Sequence, residues 1–231
     1  MYPGAHKRYN KRMDKYVEEK LDAFFSKYPI GSFAKGELIL RADQPVTKIY
    51  YLKEGFVRQY LITPNGEEIT LTVFKPVSYF PIMLVLNNKR NKYYFEAIEK
   101  ITVRACPPND ILAFLKKNPD VLFDLTCRFA DGLNGMLLKI ENMVFESAYA
   151  KVASLLLYLA NRFGEKQDTA IVINLPLTHH DIGSWVGLQR ETVSRQIESL
   201  IKKGVLTNKN HTLVVENLEK LKEEVNLFHP D

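Results

Sequence analysis

The sequence predicts an α+β chain: an N-terminal β jelly roll, a long helix with one apolar seam, and a C-terminal winged helix-turn-helix. Three observations carry that prediction. Between Gly31 and Pro107, short β-rich runs alternate with turn residues, the texture of a small closed or sandwiched sheet. After Asn118-Pro119-Asp120, apolar residues recur in steps of four and three, the spacing of a helix that buries one stripe. From Thr178 to Leu206, two amphipathic segments flank Gly187, as two helices joined by a sharp corner do. The expected division is 1–117 for an arm and the jelly roll, 118–146 for the long helix and hinge, and 147–231 for the C-terminal domain.

Composition limits what the chain can be. Its 231 residues are 46% hydrophobic and 26% charged, enough to bury one large or two small cores. No apolar run approaches the ~18–20 residues of a membrane span. The opening MYPGAHKRYNKRMDKY is polar and basic, without the apolar core of a signal peptide. A cytoplasmic bacterial-type protein with no membrane partner is expected. Cys106 and Cys127 do not suggest a disulfide framework.

Each element follows from local pattern. Tyr16, Val17, Leu21, Phe24 and Phe25 fall at helical spacing after the basic lead-in. The runs ELIL, KIYYL, FVRQYLI, ITLTVF and ITVRAC read as strands, and Thr63-Pro64-Asn65-Gly66 reads as the turn of a hairpin. Asn109 to Phe145 reads as a long helical stretch. Its seam comprises Leu122, Phe129, Met136 and Met143, interleaved with Thr126, Leu133 and Ile140. Such a stripe pairs with a second copy or packs in part against the jelly roll. Gly132 and Gly135 weaken the helix at mid-length by about 1 kcal/mol each. Phe145 to Ser147 is the expected hinge. Tyr149 to Phe163 carries Val152, Leu155, Leu156 and Leu159 on a core side, and Ala170 to Leu175 reads as a strand.

Thr178, with Asp181 three residues on, reads as an N-cap with its capping-box partner. Ile182, Trp185 and Val186 give the helix that follows an apolar side. A second helix from Gln189 buries Val193, Ile197, Leu200 and Ile201 and turns Arg190, Glu191, Ser194, Arg195 and Glu198 outward. Gly204 closes it. Val205 to Val215 breaks at Asn208 to His211 into two short strands, and Leu218 to Val225 ends the pattern as a helix.

The outward face of the second helix has chemistry. Arginine donates two hydrogen bonds to guanine, and glutamate accepts one from the amino group of cytosine. The same charges also suit a solvated face carrying pairs such as Glu191 with Arg195. Net charge is +5, and residues 148–231 hold ten basic and ten acidic residues. From Arg190 to Lys209 the balance is five to two, a local basic patch.

DIGSWVGLQRETVSRQIESLIKKGVL resembles the DNA-binding signature of the Crp/Fnr family of bacterial transcription regulators. KGELILRADQPVTKIYYLKEGFVRQYLITPNGEEITLTVF resembles that family's cyclic-nucleotide-binding-like sensor barrel, so the likeness runs from about Tyr28 onward. The resemblance implies a homodimer on a palindromic, TGTGA-like site in double-stranded DNA. Arg190, Glu191, Ser194 and Arg195 then read bases, while Thr178, Gln189, Thr192, Lys209 and His211 touch the backbone. Leu122, Phe129, Leu133, Met136, Ile140 and Met143 form the dimer seam, and RNA polymerase is a further partner. Gln189 departs from the serine that family members often carry as helix cap.

The sensor segment SYFPIMLVLNNKRNKYYFEAI also departs from the pattern. Cyclic-nucleotide-binding relatives hold the ribose with Gly-Glu-Leu and the phosphate with Arg-Ser or Arg-Thr. Here Phe80-Pro81 and Asn91-Lys92 occupy those slots, and Met136-Leu137 occupy the helix region that meets adenine. Cyclic AMP is therefore not expected. An effector site would comprise Tyr79, Arg90, Lys92, Tyr93, Tyr94, Met136 and Leu137, suited to a small anionic or aromatic molecule. The alternative is that aromatic side chains, Phe80 among them, fill the cavity and no ligand is needed. Two cysteines are too few for an iron–sulfur cluster, and His6, His179, His180, His211 and His229 all lie outside the barrel. No cofactor, metal or enzymatic activity is expected.

Overall fold

The fold is that of a computed structural model, which describes residues 15–226 except 146 and 210–211; the side chains at 138–139, 141–145, 209 and 226 also lie outside the description. Those residues form two compact units, 15–130 and 131–226. The division falls once, inside the long helix, rather than at both of its ends.

The first unit opens with α1 (Lys15–Phe25), which buries Val17, Leu21 and Phe25, one residue per turn. Strands β1 (Ile30–Phe33), β2 (Leu38–Leu40), β3 (Ile49–Glu54), β4 (Val57–Ile62), β5 (Glu68–Phe74) and β6 (Tyr79–Phe80) follow. Then come α2 (Ile82–Leu86), β7 (Tyr94–Ala97), β8 (Ile101–Cys106), α3 (Pro108–Lys117) and α4 (Pro119–Phe145). The strands pair antiparallel in two four-stranded sheets, β1-β8-β3-β6 and β2-β7-β4-β5, the topology of a jelly roll. The hairpin turn closes with Thr63 N donating to Glu67 O at 2.9 Å and Gly66 N to Thr63 O at 2.9 Å.

Alternation along β3 assigns its residues to two cores. Ile49 and Tyr51 face the helices, joining Leu21, Phe25, Ile111, Leu115, Val121 and Leu125. Leu52 faces the space between the sheets, with Val57, Phe80, Phe95 and Val103, and Tyr50 packs against that cluster. Tyr51 stacks on Phe25 at 4.6 Å and donates its hydroxyl to Asp22 at 2.6 Å. Each such buried apolar side chain contributes roughly 1.5–3 kcal/mol. Cys106 is fully buried, and burial pushes its thiol up to about 12, so it stays protonated and inert at neutral pH.

The helical stretch read from Asn109 to Phe145 is two helices. Asn118 leaves helical geometry at φ −128°, ψ 78°, and its side chain donates to Phe114 O at 2.8 Å. Proline at 119 disfavours a helical residue before it, which is the physical reason for the break. β1, β6 and β7 are not among the runs that the sequence pattern marks as strands.

The second unit holds α5 (Ala148–Phe163), β9 (Gly164–Gln167), β10 (Ala170–Ile173), α6 (His179–Val186) and α7 (Arg190–Lys202). It ends with β11 (Leu206–Lys209), β12 (Thr212–Val215) and α8 (Leu218–Asn226). Ser147 caps α5 by accepting from Ala150 N at 3.3 Å. The strands form one sheet, β11-β12-β10-β9. Its polar edge strand GEKQ had no apolar alternation to betray it. α5 buries Ala150, Val152, Leu156 and Leu159 as the central helix of this unit. Glu224 of α8 accepts from Tyr149 at 2.7 Å and Lys203 at 2.6 Å. Burial raises that carboxyl, but the two donors outweigh it and hold the group below the usual carboxylate range. No helix among the described residues is long and apolar enough to cross a membrane.

Candidate nucleic-acid interface

The helix pair is built by its caps and its corner. Thr178 Oγ1 accepts from Asp181 N at 3.2 Å, and Asp181 Oδ2 accepts from Thr178 N at 2.8 Å. This is the reciprocal capping box read from the sequence. Gly187 ends α6 in the left-handed region at φ 70°, with its N–H donating to Gly183 O. Leu188 N also donates to Gly183 O, at 3.1 Å. Gly183 is needed for a different reason: a Cβ there would lie 2.4 Å from Leu188 O, a backbone atom that cannot move aside. Gly183→Ala is thus expected to destabilise the helix pair by roughly 1–3 kcal/mol and to lower DNA affinity. Denaturant unfolding of the intact chain checks this; an unchanged midpoint would contradict the close approach.

α7 turns two different faces in opposite directions. Val193, Ile197 and Leu200 are buried, whereas Arg190, Glu191 and Arg195 are exposed. Ile201, expected inside, stays partly exposed at the end of the helix. Gln189 makes no side-chain cap hydrogen bond and remains exposed. Arg195 Nη2 donates to Thr192 Oγ1 at 3.3 Å. His179 Nδ1 lies 2.7 Å from Ser194 Oγ, linking the start of α6 to the outward side of α7. Trp185 meets Tyr158 edge-on at 6.0 Å and anchors α6 on α5. The pairing of His179 with Ser194 was not legible in the sequence, because no spacing rule connects residues on two crossing helices. The side chain of Lys209 and all of His211, the expected wing contacts, lie outside the described residues.

Within the first unit, the expected effector residues Tyr79, Arg90, Lys92, Tyr93 and Tyr94 take different environments. Tyr79 is buried with Phe25 and Tyr51 on the helix side of its sheet. Its neighbour Phe80 faces inward instead, as strand alternation requires. Arg90 is exposed and pairs with Asp43 at 3.2 Å, and Lys92 is exposed as well. Tyr93 packs against the inter-sheet core. Tyr94 stacks on Tyr60 at 5.2 Å, pointing away from Phe95 on the same strand. Met136 and Leu137 are half-exposed on the second half of α4.

Asn91, expected near the slot where cyclic-nucleotide-binding relatives carry the phosphate arginine, is only 2% exposed. Its Nδ2 donates to Arg41 O at 2.7 Å and Tyr93 O at 2.9 Å, while its Oδ1 accepts from Tyr93 N at 3.0 Å. All of its hydrogen-bonding groups thus serve the backbone. Between the sheets, Phe80 stacks on Phe74 at 5.0 Å, Phe95 at 5.6 Å and Tyr50 at 5.8 Å.

A jelly roll joined by a long helix to a winged helix-turn-helix, with arginines on the exposed face of its second helix, defines a DNA-binding transcription regulator. The model of the cyclic nucleotide-binding domain matches residues 30–118, and that of the Crp-like helix-turn-helix domain matches residues 150–224. The chain belongs to the Crp/Fnr family, whose members are transcription regulators rather than enzymes. It is 27% identical to the global nitrogen regulator of Nostoc sp. over 77% of this chain and 81% of that protein. It is 26% identical to the transcriptional regulator SdrP of Thermus thermophilus, covering 83% and 92% of the two chains. A solved CRP/FNR-family regulator from Thermus thermophilus superposes with a TM-score of 0.67 at 25% identity, over 86% and 98% of the chains. A CooA mutant from Carboxydothermus hydrogenoformans shares the fold with a TM-score of 0.73 at 23% identity, over 87% and 89%.

Proposed function

We propose that this chain acts in the cytoplasm as a homodimer that reads a palindromic, TGTGA-like site, without control by cyclic AMP. One observation carries the reading: Arg190, Glu191 and Arg195 stand exposed on α7 while its opposite face is buried. In this reading Arg190, Glu191, Ser194 and Arg195 contact bases, and Thr178, Gln189 and Thr192 contact the backbone, with Lys209 and His211 at the wing. Two-fold symmetry sets the half-sites about one helical turn apart, ~34 Å. Five apolar side chains of α4, Leu122, Phe129, Leu133, Met136 and Ile140, are exposed in the single chain, which supports a second copy as their cover. Met143, the last residue of that seam, has its side chain outside the described residues. RNA polymerase is the partner through which such a regulator acts.

The stacked rings between the sheets and the committed hydrogen bonds of Asn91 favour a barrel filled by its own side chains. The second reading, a sensor module that takes a small anionic or aromatic molecule and in which DNA binding is secondary or lost, draws on the exposed cations Arg90 and Lys92. Titrating ligand-free protein against a palindromic TGTGA-type duplex and a scrambled duplex across salt concentrations separates the two. Tight, sequence-dependent binding without ligand is expected. Equal, steeply salt-dependent binding to both duplexes is the signature of phosphate contact alone and would count against the self-filled barrel.

A further inference from the structure

The hydroxyl of Ser194 has a fixed neighbour. His179 Nδ1 sits 2.7 Å away, and Ser194 lies one helical turn after Arg190 and directly before Arg195. A serine hydroxyl has one hydrogen to give and two lone pairs to offer. If the imidazole takes the hydrogen, only lone pairs remain for a base. If the imidazole gives its own hydrogen to Oγ, the serine hydrogen is released to point elsewhere. We infer that His179 sets the hydrogen-bonding polarity of Ser194 and is thereby a specificity-determining positioning residue, one whose protonation changes the base preferred at the position Ser194 reads. The inference rests on α7 being the base-reading helix.

The two states differ in a defined way. A neutral ring with its N–H at Nε2 accepts from Ser194, whose oxygen then suits the amino groups of adenine and cytosine. The charged ring carries N–H on both nitrogens, so Nδ1 must donate, and the serine hydrogen then suits thymine O4 or guanine O6 and N7. An ordinary histidine changes charge near pH 6.5, within the range a cell visits. The surroundings supply both signs. On α6 the ionisable neighbours are His180 and Asp181, the latter engaged by the Thr178 cap. On α7 they are Arg190, Glu191, Arg195 and Glu198, with Arg195 turned toward Thr192. On α5, which packs on both helices, Arg162 lies over the rings of Tyr158 and Phe163.

The test is a set of symmetric duplexes varied one base pair at a time, bound by the intact protein near pH 5.5 and near pH 8.5, on either side of the histidine range. Comparing base pairs at one pH cancels general effects on phosphate contacts. The wild type is expected to change its preferred base at one position per half-site, by about fivefold or more. Ser194→Ala should lose discrimination at that position and its pH dependence together. His179→Ala should lose the pH dependence while keeping discrimination at the arginine positions, and Ser194→Thr, which restores a hydroxyl, should keep the pH dependence. Thermal unfolding of each variant confirms that it folds. If Ser194→Ala relaxes one position but His179→Ala leaves its preference and pH dependence intact, the inference is overturned. It is equally overturned if Ser194→Ala changes nothing while Arg190→Ala relaxes a base pair. If neither variant alters any base preference, the placement of α7 on the bases is itself wrong.

Discussion

Leu133→Asp is expected to turn the protein into monomers and to lower its affinity for the full palindrome by about 10²–10⁴-fold, the usual gain from linking two binding sites. Leu133 lies near the middle of the α4 stripe and is 58% exposed in the single chain. A carboxylate there costs little in the isolated fold, because exposed substitutions usually stay within about 0.5 kcal/mol. In a paired seam the same carboxylate would be buried without a partner, which is costly. Sedimentation should show the monomer mass, while binding to a single half-site duplex should stay near its wild-type value. A dimer of unchanged mass with undiminished palindrome affinity would refute the seam.

Arg190→Ala is expected to weaken binding by roughly 1–3 kcal/mol per half-site, about 5- to 150-fold, and only where guanine occupies its base pair. Other bases at that position should then bind nearly as well as guanine. Loss of a phosphate contact behaves differently: it weakens every sequence alike and reduces the salt slope by about one. Uniform weakening with a reduced slope would therefore remove Arg190 from the bases and leave it on the backbone. The exposed position of Arg190 in the first turn of α7 makes the variant structurally mild, so the change in binding reports contact rather than unfolding.

Much of the interface was legible because its determinants are local. The Thr178–Asp181 box and Gly187 each act within one turn of chain, so their identity and spacing announce the corner before any packing is known. The weak cap at Gln189 was legible for the same reason. The jelly roll was read from its alternating strands and from the turn at Asn65-Gly66, although short β1, β6 and β7 escaped.

The effector residues show where that reading stops. Tyr79 and Phe80 are adjacent and both aromatic, and alternation sends them to opposite sides of one strand. Which side faces the other sheet depends on what α1, α3 and α4 cover, and no local pattern states that. Arg90 and Asn91 pose the same problem, since one takes an exposed ion pair and the other is buried against the backbone of Arg41.

The sequence by itself determined the order of elements, the two-helix corner and the outward arginines of α7, because periodicity and capping are short-range effects. The tertiary structure alone decided that Tyr79 belongs to the helix-side core, that rings stack between the sheets, and that His179 meets Ser194. Those contacts join residues far apart in the chain or on crossing helices. Their partners are fixed by how the sheets and helices pack, not by the spacing of residues along the chain.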